Sequence, residues 1–276
     1  MDPYSIHRLS KAAADIGFSL GSASPGEDGW LLRRTVDRSV NLWLTTRGGA
    51  LIVAADDAAL LAALDGHGAE WSGGDLPASA VGARAHAADD YAALTFTLRR
   101  LDQLAAALPP SPLLEFQKAL GDAPSVIDLQ TGATETEAVR RVRIGQGIYR
   151  KRLIDLWDGR CAISGLAVPE LLRASHAKRW ADCESDAERL DVFNGLLLAA
   201  HLDAAFDVGL IAVGGNGEVL VSPRLDGAAR AVLGLVGEVR VEGLQDGHRP
   251  YLQWHRDTHC NWIVSALERN RANEPR

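Results

Sequence analysis

The chain has 276 residues, 47% of them hydrophobic and 24% charged, with a formal net charge of −7. That length allows one large domain or two ordinary ones, each able to bury a core, and the composition is that of a soluble globular protein with no uninterrupted apolar run of about 18 residues to span a bilayer. The opening Met1-Asp2-Pro3-Tyr4-Ser5-Ile6-His7-Arg8 lacks the basic-then-apolar order of a secretory signal, so the expected location is the cytoplasm. Cys161, Cys183 and Cys260 are widely spaced and odd in number, which fits reduced thiols.

Residues 1 to 122 read as an N-terminal α/β domain. Ser5 to Ile16 has helical spacing, with Ile6, Leu9, Ala13 and Ile16 on one side. Strands are expected at Trp30 to Val36, Val40 to Thr46 and Ala50 to Ala54, the last two joined through Arg47-Gly48-Gly49. Asp56-Asp57 is suited to cap a helix reaching Leu64, because short carboxylates accept hydrogen bonds from first-turn N–H groups. After a Gly-rich loop, Asp89 to Leu108 reads as a long helix stopped by Pro109-Pro110, and Leu113 to Leu120 as a shorter one. This half holds no compact catalytic cluster.

Gly121 to Glu137 changes composition and marks a linker, placed at 123–138, before a C-terminal domain at 139–276. In that domain Ile148, Leu153, Ile154 and Trp157 share one side of a helix, while Arg150, Lys151 and Arg152 crowd another. Leu196-Leu197-Leu198 has the apolar run of a buried strand, and a helix start near Ala200 follows from it. Gly209 to Val213 and Glu218 to Ser222 form a hairpin around Gly214-Gly215-Asn216-Gly217.

The charge is unevenly spread. From Val139 to Trp180 ten basic residues face three acidic ones, a local +7, whereas the segments before and after carry −8 and −6. A basic block on an acidic chain is an electrostatic footprint for a phosphate backbone. Arg150, Lys151, Arg152, Lys178 and Arg179 are the candidate DNA-contacting residues within it.

Ala174-Ser175-His176 is followed, eighteen residues after the His, by Asn194-Gly195, and then by His201, Asp203 and Phe206-Asp207-Val208-Gly209. A general base, an amide able to orient it and nitrogen and oxygen ligands within about thirty residues suit metal-assisted phosphodiester hydrolysis. Together with Arg143-Ile144-Gly145-Gln146, Tyr149-Arg150, Cys161-Ala162-Ile163-Ser164-Gly165 and Tyr251-Leu252-Gln253-Trp254-His255-Arg256, this order resembles the HNH, or ββα-metal, nuclease family over Val139 to Trp262. It is most similar to restriction endonucleases whose nuclease module is C-terminal.

The resemblance implies an α+β chain: an N-terminal α/β recognition-type domain followed by an HNH nuclease domain. It implies that His176 is the general base, that Asn194 orients that base or fixes the loop, and that Asp203 is a metal ligand with His201 as a second. The cofactor implied is a divalent ion, Mg²⁺ or Mn²⁺. No structural zinc is expected, because the chain has no C-x-x-C pair. Ser175 stands where the family often carries an Asp or His ligand, and His and Asp seven and nine residues after Asn194 reverse the order of some relatives.

On a helix Asp203 and Asp207 lie about 40° apart, whereas His201 and Asp203 lie about 200° apart and converge only if His201 is at or before the first turn. Asp207 is open to two roles, ligand or helix-end turn. His255 and Arg256 either stabilise the domain or reach DNA. The function that follows is a metal-dependent DNA endonuclease, with double-stranded DNA as partner, no membrane association, a possible homodimer and a restriction or host-defence role. The rival is a DNA-binding or regulatory protein on a cleavage-deficient HNH scaffold.

Overall fold

The computed structural model describes residues 1–36, 40–65, 76–77, 79–121 and 133–263. The chain divides into two compact units, Met1–Ser111 and Pro112–Arg276.

The first unit opens with α1 (Pro3–Ala14), whose first turn is capped by the Asp2 carboxylate accepting from the Tyr4 and Ser5 amides. Strands β1 (Leu20–Gly21), β2 (Leu31–Arg34), β3 (Asn41–Arg47) and β4 (Ala50–Ala55) follow, then α2 (Ala58–Asp65) and β5 (Arg84–Ala88). The five strands form one sheet in sequence order, and every pairing is antiparallel. The unit therefore mixes helix and sheet without the parallel crossovers of a βαβ fold. Arg47 pairs directly with Ala50, so Gly48-Gly49 is a two-residue turn, and both glycines take the positive φ it requires (57° and 88°).

β1 and β5 lie outside the strands expected from sequence. β5 reads Arg-Ala-His-Ala-Ala, with no β-branched or aromatic residue to announce a strand. Ala85 of this strand packs with the Trp30 and Trp43 indoles, together with Ala54, Ala80 and Ala83, where the indoles supply the bulk. The buried leucines of the unit include Leu9 of α1, Leu42 and Leu44 of β3, and Leu94, Leu98 and Leu101 of α3 (Tyr91–Ala107). α1 and α3 pack on each other and on the sheet. The helix α3 is capped by Asp90, which accepts from the Ala93 amide.

The second unit takes in α4 (Ser111–Gly121) from Pro112 onward, which the sequence reading assigned to the N-terminal domain. Two contacts tie it to α5 (Ala133–Leu156): Glu115 pairs with Arg152, and Phe116 lies under the Arg141 guanidinium at 5.0 Å. The linker expected at 123–138 overlaps the start of α5, and its residues 123–132 lie outside the described residues. α5 buries Gly145, Tyr149, Leu153 and Leu156 along one stripe.

A 3₁₀ turn at Pro169–Leu171 leads into β6 (Leu172–His176); a long loop carrying α6 (Asp186–Arg189) then connects to β7 (Gly195–Ala199) and directly to α7 (Ala200–Asp207). β6 and β7 pair antiparallel from Leu172↔Ala199 to His176↔Gly195. α5 packs on both strands, as does α7. All five residues of β7 are buried, which explains its unbroken apolar run. The hairpin of β8 (Ile211–Val213) and β9 (Val219–Val221), α8 (Gly227–Val232) and α9 (His248–His259) complete the unit. Among the described residues no helix is long and apolar enough to cross a membrane.

Candidate active site

β6, β7 and α7 form a ββα unit in which the last residue of β6 is His176. Its Nε2 lies 2.9 Å from the Arg189 carbonyl oxygen. A carbonyl only accepts, so Nε2 carries the proton and donates, which leaves Nδ1 with its lone pair as the basic atom. The ring stacks on Tyr149 at 3.8 Å and meets the edge of Trp180 at 5.7 Å. Burial pushes the His176 pKa down to about 4, only partly opposed by the Arg189 carbonyl. The imidazole is therefore neutral at physiological pH and able to accept a proton.

Asn194 does not touch His176. It is fully buried and ties the intervening loop to itself: Oδ1 accepts from the Lys178 amide at 2.8 Å, while Nδ2 donates to the Lys178 and Glu188 carbonyls at 3.1 and 3.2 Å. Its backbone carbonyl accepts from the Tyr149 hydroxyl at 3.0 Å. Asn194 thus fixes the loop whose Arg189 carbonyl orients His176. Arg189 reinforces it by donating to the Trp180 and Cys183 carbonyls at 3.1 and 2.6 Å. Gly195 is required for clearance, since a Cβ there would fall 2.1 Å from both the Ser175 carbonyl oxygen and the Tyr149 hydroxyl. The Asn-Gly pair, a turn signal when read alone, begins a strand.

A cleft of about 390 Å³ opens beside His176. α7 lines it with Asp203 and Asp207, β6 with Arg173, Ala174 and Ser175, and the loop after β6 with Arg179 and Trp180. α5 adds Gln146, Tyr149 and Arg150. Partial burial and the adjacent Asp203 carboxylate raise the Asp207 pKa, against the opposing charge of Arg179. Ser175 is 2% exposed, and among the described residues its hydroxyl has no hydrogen-bond partner.

The structure brings His176, Asp203, Arg150 and Arg179 to one cleft and leaves other sequence-chosen residues elsewhere. His201 is exposed in the first turn of α7 and does not line the cleft; Asp207, on the same face as Asp203, does. Lys151 lies 4.0 Å from Glu115, Arg152 is held between Glu115 and Asp155 at 2.7 and 2.9 Å, and Lys178 binds Glu188 at 2.7 Å. Those three cations are paired with carboxylates. Arg150 donates to the Leu172 and Pro169 carbonyls, and Arg173 to those of Glu170 and Leu172, so both also brace the start of β6.

Arg173, Tyr149 and Trp180 were missed as site residues. Tyr149 was legible, since it sits four residues before Leu153 and four after Gly145 on the buried stripe. Gly145 in turn makes room for Trp180, because a Cβ there would lie 2.5 Å from the indole.

Among the described residues no group of three or more His, Cys, Asp or Glu is gathered so as to hold a metal. Two carboxylates on one face of α7 line the cleft, and Mg²⁺ commonly uses one or two carboxylates with water and substrate phosphate completing its shell. The residues present fit such an ion.

His176 and the two carboxylates share a cleft with three arginines on a ββα unit. The HNH endonuclease family model matches residues 161–214, which contain β6, β7, α7 and β8. This match supports an HNH endonuclease domain within the second unit. Comparison with curated proteins returns no match.

Proposed function

We propose that the chain is a divalent-metal-dependent DNA endonuclease that hydrolyses phosphodiester bonds in the cleft beside His176. The observation that carries this reading is the tethering of His176 Nε2 to the Arg189 carbonyl, which leaves a neutral Nδ1 in the same cleft as Asp203, Asp207 and three arginines.

In this mechanism His176 Nδ1 removes a proton from the water that attacks the scissile phosphorus. Tyr149 and the Asn194-fixed loop keep the ring in place as it becomes an imidazolium. Arg173 and Arg179 bind non-bridging phosphate oxygens, and the remaining donors of Arg150 face the strand. Asp203 and Asp207 would hold Mg²⁺ or Mn²⁺, whose chemistry is to stabilise charge on the phosphate and on the leaving 3′ oxygen. Sequence recognition is assigned to the Met1–Ser111 unit, and a restriction or host-defence role follows from the resemblance to restriction enzymes.

Incubation of plasmid, single-stranded DNA and structured RNA with Mg²⁺ or Mn²⁺ tests the activity. Metal-dependent nicking or linearisation of the plasmid is expected. DNA binding without cleavage in either metal would replace the nuclease reading with that of a DNA-binding protein. Modified and unmodified genomic DNA, with the ends sequenced, tests the restriction role.

A further inference from the structure

The helix α9 lies outside the segment matched to the family, yet its His255 bonds to Phe206, the residue before Asp207 at the end of α7. The last carbonyls of a helix have no partner within it and must find one elsewhere. Here the Phe206 carbonyl accepts from the Gly209 amide and, as a second donor, from His255 Nε2, both at 2.9 Å; the Asp207 carbonyl accepts from Arg179 at 2.9 Å, and beyond the helix the Gly209 carbonyl accepts from the Trp262 indole at 2.6 Å. The His255 ring is 1% exposed and lies flat on Phe206, with centroids 3.7 Å apart and planes 4° apart.

Gly209 has φ +68°, and a Cβ there would come within 2.1 Å of the His259 carbonyl oxygen. The chain on both sides of Asp207 is thus hydrogen-bonded to α9 and the residues after it, through Phe206 to His255 and through Gly209 to Trp262. Arg256, next to His255, donates to the Val213 carbonyl and anchors β8 in the same way. These bonds place His255 and Arg256 in the architecture of the domain.

We propose that His255 is a positioning residue for Asp207: its Nε2 proton, held on the Phe206 carbonyl, sets the direction in which the Asp207 carboxylate enters the cleft and so the affinity for the divalent ion. This rests on the metal-site reading given above. Outer-shell partners of this kind typically change metal affinity by about 10- to 100-fold when removed.

The test is calorimetric titration of the full chain with Mn²⁺, alongside the Mn²⁺ dependence of plasmid cleavage. His255→Phe keeps a flat ring against Phe206 and removes the donor; it is expected to weaken Mn²⁺ binding by about 10-fold and to raise the half-saturating Mn²⁺ for cleavage in parallel. His255→Gln, which retains an N–H donor, is expected to recover part of that loss. DNA affinity measured without metal is expected to stay at the wild-type value in both.

A folded His255→Phe protein that binds Mn²⁺ like the wild type overturns the proposal, as does a lower melting temperature with Mn²⁺ affinity per folded molecule unchanged. If His255→Phe does not fold, His255→Gln must still bind Mn²⁺ more weakly than the wild type; unchanged binding overturns the proposal. A wild-type chain that neither binds Mn²⁺ nor cleaves refutes the metal-site reading itself.

Discussion

Within the second unit, residues adjacent in sequence face two different environments. Arg150 lines the cleft while Lys151 and Arg152 turn to Glu115 and Asp155; Arg179 lines it while Lys178 turns to Glu188; Asp203 and Asp207 line it while His201 stays outside. The difference teaches that a local charge count overstates phosphate-binding capacity. A cation held 13% exposed against a carboxylate, as Arg152 and Lys178 are, has less charge to offer a phosphate than one that faces the cleft. The arginines left at the cleft use carbonyls as partners, which orient a guanidinium without cancelling its charge.

The sharpest test of this division compares two histidines. His176→Ala is expected to reduce cleavage by about 100-fold or more while far-UV dichroism stays unchanged, as for loss of a general base. His201→Ala is expected to cleave at the wild-type rate. A folded His176→Ala protein with near-wild-type plasmid cleavage would remove His176 from the mechanism.

The carboxylates give the next largest effect. Asp207→Asn is expected to weaken Mn²⁺ binding by at least about 10-fold in a calorimetric titration, and His201→Ala to leave it unchanged. The reverse outcome would move the metal site to the outer side of α7.

Acid titration separates buried from exposed histidines. Burial lowers the pKa of His176, His248 and His255 to about 4 in the folded state. Between about pH 6.5 and pH 4 the unfolded chain therefore binds protons that the native state refuses, so stability is complete above pH 6.5 and is lost as pH falls through this window. Each of the three contributes about 1.4 kcal/mol per pH unit at most. Urea unfolding at stepped pH values should show His248→Phe with a shallower acid decline than the wild type; an equal decline would rule out a buried neutral His248.

The smallest effects distinguish the arginines. Arg173→Ala is expected to lower the log-log salt slope of DNA binding by about 0.9. Arg152→Ala is expected to leave that slope alone and cost on the order of 1 kcal/mol in unfolding, because its guanidinium is 13% exposed between two carboxylates. Equal salt slopes for the two variants would erase the contrast between the surfaces.

Much of the fold was legible because it depends on local pattern. The Gly48-Gly49 hairpin, the Asp57-capped α2, the apolar β7 and the start of α7 at Ala200 each follow from a period, a cap or a turn residue acting over a few positions. β5 was not legible, because it carries no β-branched residue and its Ala85 packs under the Trp30 and Trp43 indoles, distant in sequence. The same limit applied to Asn194 and Gly195: their roles depend on the Lys178 backbone, the Ser175 carbonyl and the Tyr149 hydroxyl, which meet only after two strands and α5 have packed.

The sequence by itself determined the ingredients: a histidine, an asparagine and two aspartates at the spacing of a ββα unit, within a basic block on an acidic chain. Only the tertiary structure decided which of them share a cleft. Helical rotation puts Asp207 beside Asp203 and sends His201 outward, but its consequence depends on which face of α7 packs against β6 and β7. Likewise the charge of each basic residue is written in the chain, whereas its availability depends on carboxylates such as Glu115, brought into reach of Arg152 only by packing of α4 on α5.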